Sequence, residues 1–441
     1  MPSSTIRSKR DLAAVSALCG LLLMGAVTTP AWAESTREKQ WFLDAMKADG
    51  IWQISTGRGV TVAVIDTGVD ANNPDLLGQV LPGKDFAEGQ AGDEHVDYAG
   101  HGTGMAGLIA GTGAANGGNG ASGLAPGAKI LPIRMPDSTK DANQAQSNQR
   151  FNMIAPQAIR YAVDQKAKVI NISLGAGRTE GSPQMTAAVK YAFDKGALVF
   201  AAVGNSAAVD NEVEYPAATP GVVGVGAVGR NLHKTAESEF GPQVDMAAPG
   251  DDMVHACKSE TGLCRSHGTS DATALASASA ALIWSKHPEW TNNQVLRVML
   301  NTIGGPTDGA KRNDSIGYGI VRPRVALVNP GDPGPADVYP LPDPPTSGTT
   351  TASATPTPPG TPAKDAAPRA DKSAGNRSTL LILAGVAALG IVVALLGVWA
   401  LRKRRREQAA IGQAQHAGWG PPPGPGPGWS EQQHHDRTGR Y

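Results

Sequence analysis

Residues 50–326 alternate short apolar runs with segments in which apolar residues recur at helical spacing. The runs are apolar on both faces, which is typical of strands buried between two layers of helices; their sequences are GVTVAVID, AKVINISLG, ALVFAAVGN and GVVGVGAVG. Residues 156–165 and 183–195 carry the helical spacing, and a capping box at Thr291 and Gln294 predicts a later helix. The pattern predicts an α/β fold with a parallel sheet flanked by helices.

A further apolar run lies near the start of the chain. Residues 12–27 follow three basic residues and precede the small-residue motif Ala31-Trp32-Ala33. Basic, apolar and small-residue segments in this order predict a secretory signal peptide over residues 1–33. An uncleaved membrane anchor is the competing interpretation.

Residues 379–401 form the most apolar stretch of the chain and contain no charge. At 1.5 Å per residue a helix of this length crosses a bilayer core of about 30 Å, so we predict a transmembrane helix; a buried core helix is the alternative. Five basic residues follow at 402–406. By the positive-inside rule, the protein is expected to be a single-pass protein of the cell membrane, with residues 34–378 extracytoplasmic and the tail cytoplasmic.

The remaining boundaries follow from composition. An N-terminal extension is predicted at residues 34–58, and the folded domain at 59–328. Residues 329–376 are rich in Pro, Thr, Ala and Asp and predict an extended linker. The tail, residues 402–441, is rich in Gln, Gly, Pro and His and is predicted to be disordered. The polar segment 137–150 is predicted to be a surface loop.

Charge and cysteine content narrow the class of protein. Lys plus Arg number 39, as do Asp plus Glu, so no global field favours a nucleic-acid partner and none is expected. One of the three cysteines, Cys19, lies in the predicted signal peptide. Outside the cytoplasm the other two, Cys257 and Cys264, predict a short-loop disulfide worth about 2–3 kcal/mol. A zinc site is the alternative, but the pair has no further ligands nearby.

Two motifs that resemble ligand sites are rejected. Gly224, Gly226 and Gly229 spell GxGxxG, but the residues that follow are polar and lack helical spacing, so no helix N-terminus is expected for a pyrophosphate. Residues 92–97, GDEHVD, lack a calcium-loop spacing and predict a solvated loop. No metal and no cofactor are therefore expected.

Three polar residues stand in settings that favour chemistry. Asp66 ends the buried run VAVID, where an unpaired carboxylate is costly. His101 in HGTGMAG and Ser270 in HGTSDAT each stand at the expected start of a helix. Singly, they are explained as a turn residue, a loop histidine and a helix N-cap. Together, in this order and with the shared glycine and threonine context, they point to a catalytic constellation.

These three segments resemble the Asp, His and Ser motifs of the subtilisin-like serine proteases. Further segments resemble the same family across residues 50–326: GLAPGAKI, NISLG, AAVGN, MAAPG and GYGIV. The segment QWFLDAMKADGIWQISTGRGVTVAVIDTGV, together with the predicted signal peptide, linker, span and tail, resembles more specifically the mycosins, the membrane-anchored subtilases of type VII secretion systems. Residues 34–58 are too few for the folded inhibitory domain that many secreted subtilases carry, so none is expected.

The resemblance implies a role for each matching residue. Asp66 would hold the His101 tautomer, and His101 would take the Ser270 proton as Ser270 attacks a peptide carbonyl. Asn205, at the end of AAVGN, matches the amide that binds the oxyanion. The segment Ser173, Leu174 and Gly175 matches the one that pairs with substrate backbone and walls the pocket for the P1 side chain, the residue before the cleaved bond.

The chain departs from the family pattern at two positions. Ala274 replaces the usual proline, which removes no catalytic group. Asp271 follows Ser270 directly, at a position that borders the oxyanion in related proteases. At about 6 Å and an effective dielectric constant of about 20, repulsion would be about 3 kcal/mol. Two hypotheses follow: Asp271 turns toward a basic substrate residue, or it slows the enzyme.

The sequence thus predicts a membrane-anchored extracytoplasmic serine endopeptidase that cleaves a protein or peptide substrate and is associated with the type VII secretion membrane complex. The alternative is a structural subunit that stabilises this complex, with low or dispensable protease activity. A complete set of catalytic residues favours the first prediction.

Overall fold

A parallel sheet of seven strands carries the architecture. The computed structural model describes residues 34–177, 181–259 and 261–345. In spatial order the sheet is β2-β3-β1-β4-β5-β6-β7. Its strands are β1 (Thr61–Asp66), β2 (Lys84–Asp85), β3 (Lys129–Arg134), β4 (Val169–Ile172), β5 (Leu198–Ala202), β6 (Val222–Val228) and β7 (Met246–Pro249). The predicted α/β fold with a parallel sheet is confirmed.

Helices cover both faces of this sheet. They are α1 (Thr36–Lys39), α2 (Trp41–Ala45), α3 (Ala48–Trp52), α4 (His101–Ala110), α5 (Ala115–Gly118), α6 (Gln144–Asp164), α7 (Pro183–Asp194), α8 (Thr269–Lys286), α9 (Asn292–Asn301) and α10 (Pro323–Val328), with a 3₁₀ turn at Ser138–Lys140. The core on one face contains α4 and α8, and the core on the other contains α6 and α7. Since side chains alternate along a strand, Val62 and Val64 of β1 enter the first core, and Ala63 and Ile65 enter the second.

All four apolar runs singled out in the sequence form strands of the sheet, as predicted. The helix that begins after the capping box of Thr291 and Gln294 is also confirmed. One prediction was wrong: residues 144–150, assigned to a surface loop, are the first turns of α6. The side chain of Asn143 accepts a hydrogen bond from the Gln146 backbone and caps this helix, whose first turns carry few apolar residues.

The predicted N-terminal extension packs into the main core. Phe42 and Leu43 of α2 are fully buried there. The indole nitrogen of Trp41 donates to the Asp251 carbonyl oxygen at 2.8 Å, and the Gln40 amide donates to the carbonyl oxygens of Ser122 and Val254. These contacts make residues 40–43 part of the folded domain.

Phe42→Ala is therefore expected to destabilise the domain strongly. Removing a fully buried phenylalanine leaves a cavity and costs about 3–5 kcal/mol. Thermal or urea unfolding measures this loss. Asp44→Ala in the same helix is the control, because it removes an exposed carboxylate paired with Arg37 and is expected to cost less than about 1 kcal/mol. Equal effects of the two changes would contradict a core role for the extension.

Part of the predicted linker, residues 329–376, is described and packs on the domain. The Arg297 guanidinium donates to the carbonyl oxygens of Pro333 and Pro335 at 2.7 and 2.9 Å. The Tyr339 ring meets Phe193 edge-on, with ring centroids 5.5 Å apart. Ordered contacts thus continue beyond residue 328.

The predicted signal peptide, transmembrane helix and cytoplasmic tail all lie outside the described residues. Within the described ranges, no helix combines the length and the apolar composition needed to cross a bilayer.

Candidate active site

Several polar residues gather at the carboxyl edge of the sheet, where ligands bind in open α/β folds. Asp66 is the last residue of β1, and Ser173 and Asn205 follow the ends of β4 and β5. His101 is the first residue of α4, and Ser270 lies in the first turn of α8. The fold therefore brings the predicted site residues to one edge from five separate elements.

Asp66 and His101 form a direct pair. The Nδ1 atom of His101 lies 2.7 Å from Oδ1 of Asp66, which is fully buried. The approach requires glycine at position 102, because a β-carbon there would lie 2.2 Å from the Gly68 carbonyl oxygen. The glycine after His101 thus lets α4 start against the end of β1.

The charge of Asp66 controls the protonation of His101. Burial lowers the His101 pKa, but the charge and hydrogen bond of Asp66, together with the charges of Asp271 and Asp97, raise the pKa above the ordinary 6.5. With Nδ1 held by the carboxylate, Nε2 is the nitrogen available for proton transfer. The pair can therefore accept a proton and stabilise the imidazolium that forms.

Asp97 joins the end of β1 to the start of α4. Its Oδ1 accepts from the Thr67 hydroxyl and the Gly100 backbone N–H, both at 2.7 Å, and its Oδ2 accepts from the Thr103 N–H at 2.7 Å. The prediction of a solvated loop over residues 92–97 was wrong for Asp97, which is only 8% exposed. No local motif marks it, because its side-chain partner, the Thr67 hydroxyl, lies 30 residues away in the sequence.

Asp97→Asn is expected to lower kcat about tenfold with little change in KM. The amide would present a donor to one of the N–H groups that the carboxylate now accepts from, and small displacements of a catalytic group are costly. Steady-state kinetics on a peptide substrate measures this split. Asp93→Asn, in the exposed part of the same loop, is the control. Unchanged kcat in Asp97→Asn would contradict the positioning role.

Ser270 is held against the segment that follows β4. Its hydroxyl donates to the Ser173 carbonyl oxygen at 3.2 Å, and the Ser173 hydroxyl donates to the Ser270 carbonyl oxygen at 3.1 Å. Among the described residues, no hydrogen bond links the Ser270 hydroxyl to His101. Catalytic hydrogen bonds are often long or misaligned without substrate and tighten when it binds, so this geometry is compatible with a nucleophile.

Asn205 lies beside the start of α8. Its Oδ1 accepts from the Thr269 N–H at 2.9 Å, which fixes the orientation of the amide. Gly268 has a φ of +133°, and a β-carbon there would lie 3.0 Å from this oxygen. Asn205 is exposed, and no described residue accepts a hydrogen bond from its Nδ2. That donor is therefore free to bind a developing oxyanion near Ser270.

A cavity of about 320 Å³ opens beside the segment Ser173, Leu174 and Gly175. Leu174 and Gly175 line it together with Tyr98, Asp137 and Arg150. The segment 137–150, which was predicted to be a surface loop, therefore contributes part of the cavity wall. The composition of this segment gave no sign of that position.

Residues 57–319 match the subtilase family, which is more than half of the chain. This chain belongs to the subtilase family. It is 35% identical to thermitase of Thermoactinomyces vulgaris over 248 residues, which is 56% of this chain and 83% of thermitase. It is 36% identical to an intracellular serine protease of Paenibacillus polymyxa over 217 residues, which is 48% of this chain and 63% of that relative, less than two thirds of its length.

Solved structures of type VII secretion proteases are also similar. The MycP3 protease from the type VII (ESX-3) secretion system has a TM-score of 0.58 and 32% identity, over 65% of this chain and 88% of that one. MycP1 from Mycobacterium smegmatis has a TM-score of 0.60 and 27% identity, over 70% of this chain and 89% of that one. The predicted family resemblance and the class of enzyme, a subtilisin-like serine endopeptidase, are confirmed.

Asp271, the departure from the subtilase pattern, turns into the protein. It is 1% exposed, and Ser266 donates a hydrogen bond to its Oδ1. Burial raises its pKa, while the nearby His255 and His101 act in the opposite direction. The two hypotheses for Asp271, that it turns toward a basic substrate residue or that it slows the enzyme, stay predictions. The charge of Asp271 contributes to the raised pKa of His101.

The predicted disulfide is present in the structure beside this region. Cys257 and Cys264 are bonded across the hairpin formed by β8 (Met253–Ala256) and β9 (Leu263–Ser266). The hairpin places Ser266 and His255 next to the start of α8 and packs against α4. Gly224 and Gly226 lie inside β6, which is followed by a turn, so the rejected nucleotide motif has no helix after it in the structure.

Proposed function

We propose that this subtilase is an extracytoplasmic serine endopeptidase in which Asp66, His101 and Ser270 form the catalytic triad. The Asp66–His101 pair at 2.7 Å, facing the same sheet edge as Ser270, is the observation that carries the proposal. The membership of the chain in the subtilase family supports it.

In the proposed mechanism, the Ser270 hydroxyl breaks its hydrogen bond with the Ser173 carbonyl oxygen and donates its proton to Nε2 of His101. The Ser270 oxygen then bonds to the substrate carbonyl carbon. Asp66 stabilises the imidazolium and remains ionised. His101 returns the proton to the leaving amine as the peptide bond breaks. Water then attacks the acyl-enzyme while His101 accepts its proton, and His101 returns that proton to the Ser270 oxygen as the ester bond breaks.

The oxyanion of the tetrahedral intermediate would be bound by Nδ2 of Asn205 and the Ser270 backbone N–H. Thr269 holds the Asn205 oxygen, so the amide needs no reorganisation as negative charge develops.

We further propose that the protein is anchored in the cell membrane through residues 379–401 and acts beside the type VII secretion complex. The apolar span with its basic flank, the predicted signal peptide and the similarity to MycP3 and MycP1 support this part. The predicted alternative, a structural subunit, is favoured by one observation: the Ser270 hydroxyl contacts Ser173 rather than His101.

Labelling with a fluorophosphonate, which modifies activated serines, tests the catalytic proposal on the full chain. The wild type and Ser285→Ala, a change at the far end of α8, are expected to label, and Ser270→Ala is not. An unlabelled wild type would contradict the proposal. Restoration of secretion by Ser270→Ala in a strain that lacks the protein would favour the structural alternative.

Activity is expected to rise with pH. The free base must be neutral, so kcat/KM should increase about tenfold per pH unit below the His101 pKa and level off above it. Since that pKa is raised, the midpoint should lie above 6.5. The charged Asp66–His101 pair also stabilises the fold. This stabilisation is fully present below pH 6.5 and is lost as the pH rises through the raised pKa of His101. A pH profile of kcat/KM with a midpoint below 6.5 would contradict the assignment.

A further inference from the structure

An acidic side chain lies against the residues that follow each of two strands, β4 and β5, whose ends carry Ser173 and Asn205. The first is Glu214. The next residue, Tyr215, exchanges two backbone hydrogen bonds with Ala176, at 2.9 and 3.1 Å, which binds this segment to the residues after β4. A β-carbon on Gly175 would lie 2.4 Å from Oε2 of Glu214. The Glu214 carboxylate therefore covers one of the residues predicted to wall the P1 pocket.

The second acidic side chain is that of Glu239, which lies against Gly204, just after the end of β5. A β-carbon on Gly204 would lie 2.4 Å from its carboxyl carbon, so the carboxylate sits directly on the residue before Asn205. Glu239 is fully buried. Its Oε1 accepts from the backbone N–H and hydroxyl of Ser206, at 3.3 and 2.7 Å. Its Oε2 has no hydrogen-bond partner among the described residues.

No described residue donates a hydrogen bond or forms an ion pair with the Glu214 carboxylate either. Burial raises the pKa of Glu214 to about 7, and the charges of Glu239 and Glu212 add to this effect. Burial likewise raises the pKa of Glu239. Carboxylates buried together without a cation are unfavourable, and a positive group that reaches them gains both charge pairing and hydrogen bonds.

The position of these acids relative to the reacting bond identifies that positive group. A substrate carbonyl held between Ser270 and Asn205 has its P1 side chain next to the segment Ser173, Leu174 and Gly175. Between this segment and the end of β5, the side chain meets Glu214. An apolar P1 side chain would leave the carboxylates without partners, whereas a lysine or arginine would supply donors to them.

We infer that Glu214, supported by Glu239, makes the P1 pocket specific for lysine or arginine. The inference rests on the proposed function, since it deepens the description of the same site. Glu214 is the specificity-determining residue, because its carboxylate is partly exposed and covers Gly175. Glu239, fully buried and held by Ser206, positions negative charge behind it.

Peptide phosphonates that differ only in the P1 group test the inference, because they label the reactive serine even when turnover is slow. Probes with a lysine-like, an arginine-like, a leucine-like and a glutamate-like P1 group are compared on the full chain. The basic probes are expected to label the wild type about 10²-fold faster than the leucine probe. Glu214→Gln should reduce this ratio at least tenfold, because it slows labelling by the basic probes.

Two further variants guard against trivial explanations. Glu289→Gln removes the same charge at an exposed position and should keep the wild-type ratio. Glu214→Lys should move the preference toward the glutamate probe. A wild type that prefers leucine, or a Glu214→Gln variant with the wild-type ratio, would overturn the inference while normal fluorophosphonate labelling leaves the proposed function intact. Loss of fluorophosphonate labelling in the wild type would refute both.

Discussion

Ser270→Ala is expected to reduce the kcat for peptide hydrolysis by about 10⁶-fold, the size of loss known for the nucleophile of subtilisin itself. The substitution removes the atom that bonds to the substrate carbonyl carbon. His101 then has no serine proton to accept, so the Asp66–His101 pair cannot compensate. Hydrolysis of a fluorogenic peptide, followed over hours with the purified domain, measures the loss.

Folding of this variant should be preserved, which separates a chemical from a structural effect. Among the described residues, the Ser270 hydroxyl makes one hydrogen bond, to the Ser173 carbonyl oxygen. Its removal leaves the Ser173 hydroxyl bound to the Ser270 carbonyl oxygen. Unfolding free energy should therefore change by about 1 kcal/mol. A variant that retains more than a hundredth of the activity would contradict the role of Ser270.

Asp66→Asn is expected to lower kcat about 10⁴-fold, as the equivalent change does in trypsin-like proteases. The amide would turn a donor toward Nδ1 of His101 and favour the wrong tautomer, so that Nε2 carries a proton and cannot act as the base. The pKa of His101 should also fall, since the charge and hydrogen bond that raise it are lost. Kinetics and a histidine NMR titration measure the two effects.

The matched control is Asp70→Asn, four residues further along the chain. Asp70 accepts a hydrogen bond from the Asn72 backbone and has no contact with His101 among the hydrogen bonds of the described residues. It should retain activity within about threefold. An Asp66→Asn variant with normal kcat and an unchanged His101 titration would remove Asp66 from the mechanism.

The residues of the proposed triad were predictable because each stands in a short motif whose residue types are set by local needs. Asp66 ends a strand, Gly102 is required by the close approach of the Gly68 carbonyl oxygen, and Gly268 is required by its φ of +133°. These requirements produce short motifs in which glycine and threonine surround a polar residue. Their order along the chain then pointed to the subtilases.

Other parts of the site could not be predicted, because they arise from contacts between distant segments. Asp97 accepts a hydrogen bond from the Thr67 hydroxyl, 30 residues away in the sequence, as well as from the nearby N–H groups of Gly100 and Thr103. Asp271 turns inward because the β8–β9 hairpin brings Ser266 beside it. The sequence around Glu214 is that of a polar loop. Only the backbone hydrogen bonds between Tyr215 and Ala176 bring its carboxylate next to Gly175.

The boundaries of the fold were less predictable than its strands. The composition of residues 330–345 is that of a linker, yet this segment packs on the domain because Arg297 binds its backbone carbonyl groups. Every residue has a backbone carbonyl group, so the sequence does not reveal such contacts. The first turns of α6 were missed for the related reason that their few apolar residues give no helical period.

The central claim is that Ser270 is the nucleophile activated by His101 and Asp66. Tandem mass spectrometry of the full chain after fluorophosphonate treatment tests it most directly, because it locates the covalent adduct on a single residue. We expect the adduct on Ser270, formed faster as the pH rises above 6.5 and strongly slowed in Asp66→Asn. An adduct on another serine, or no adduct on a folded wild type, would contradict the claim.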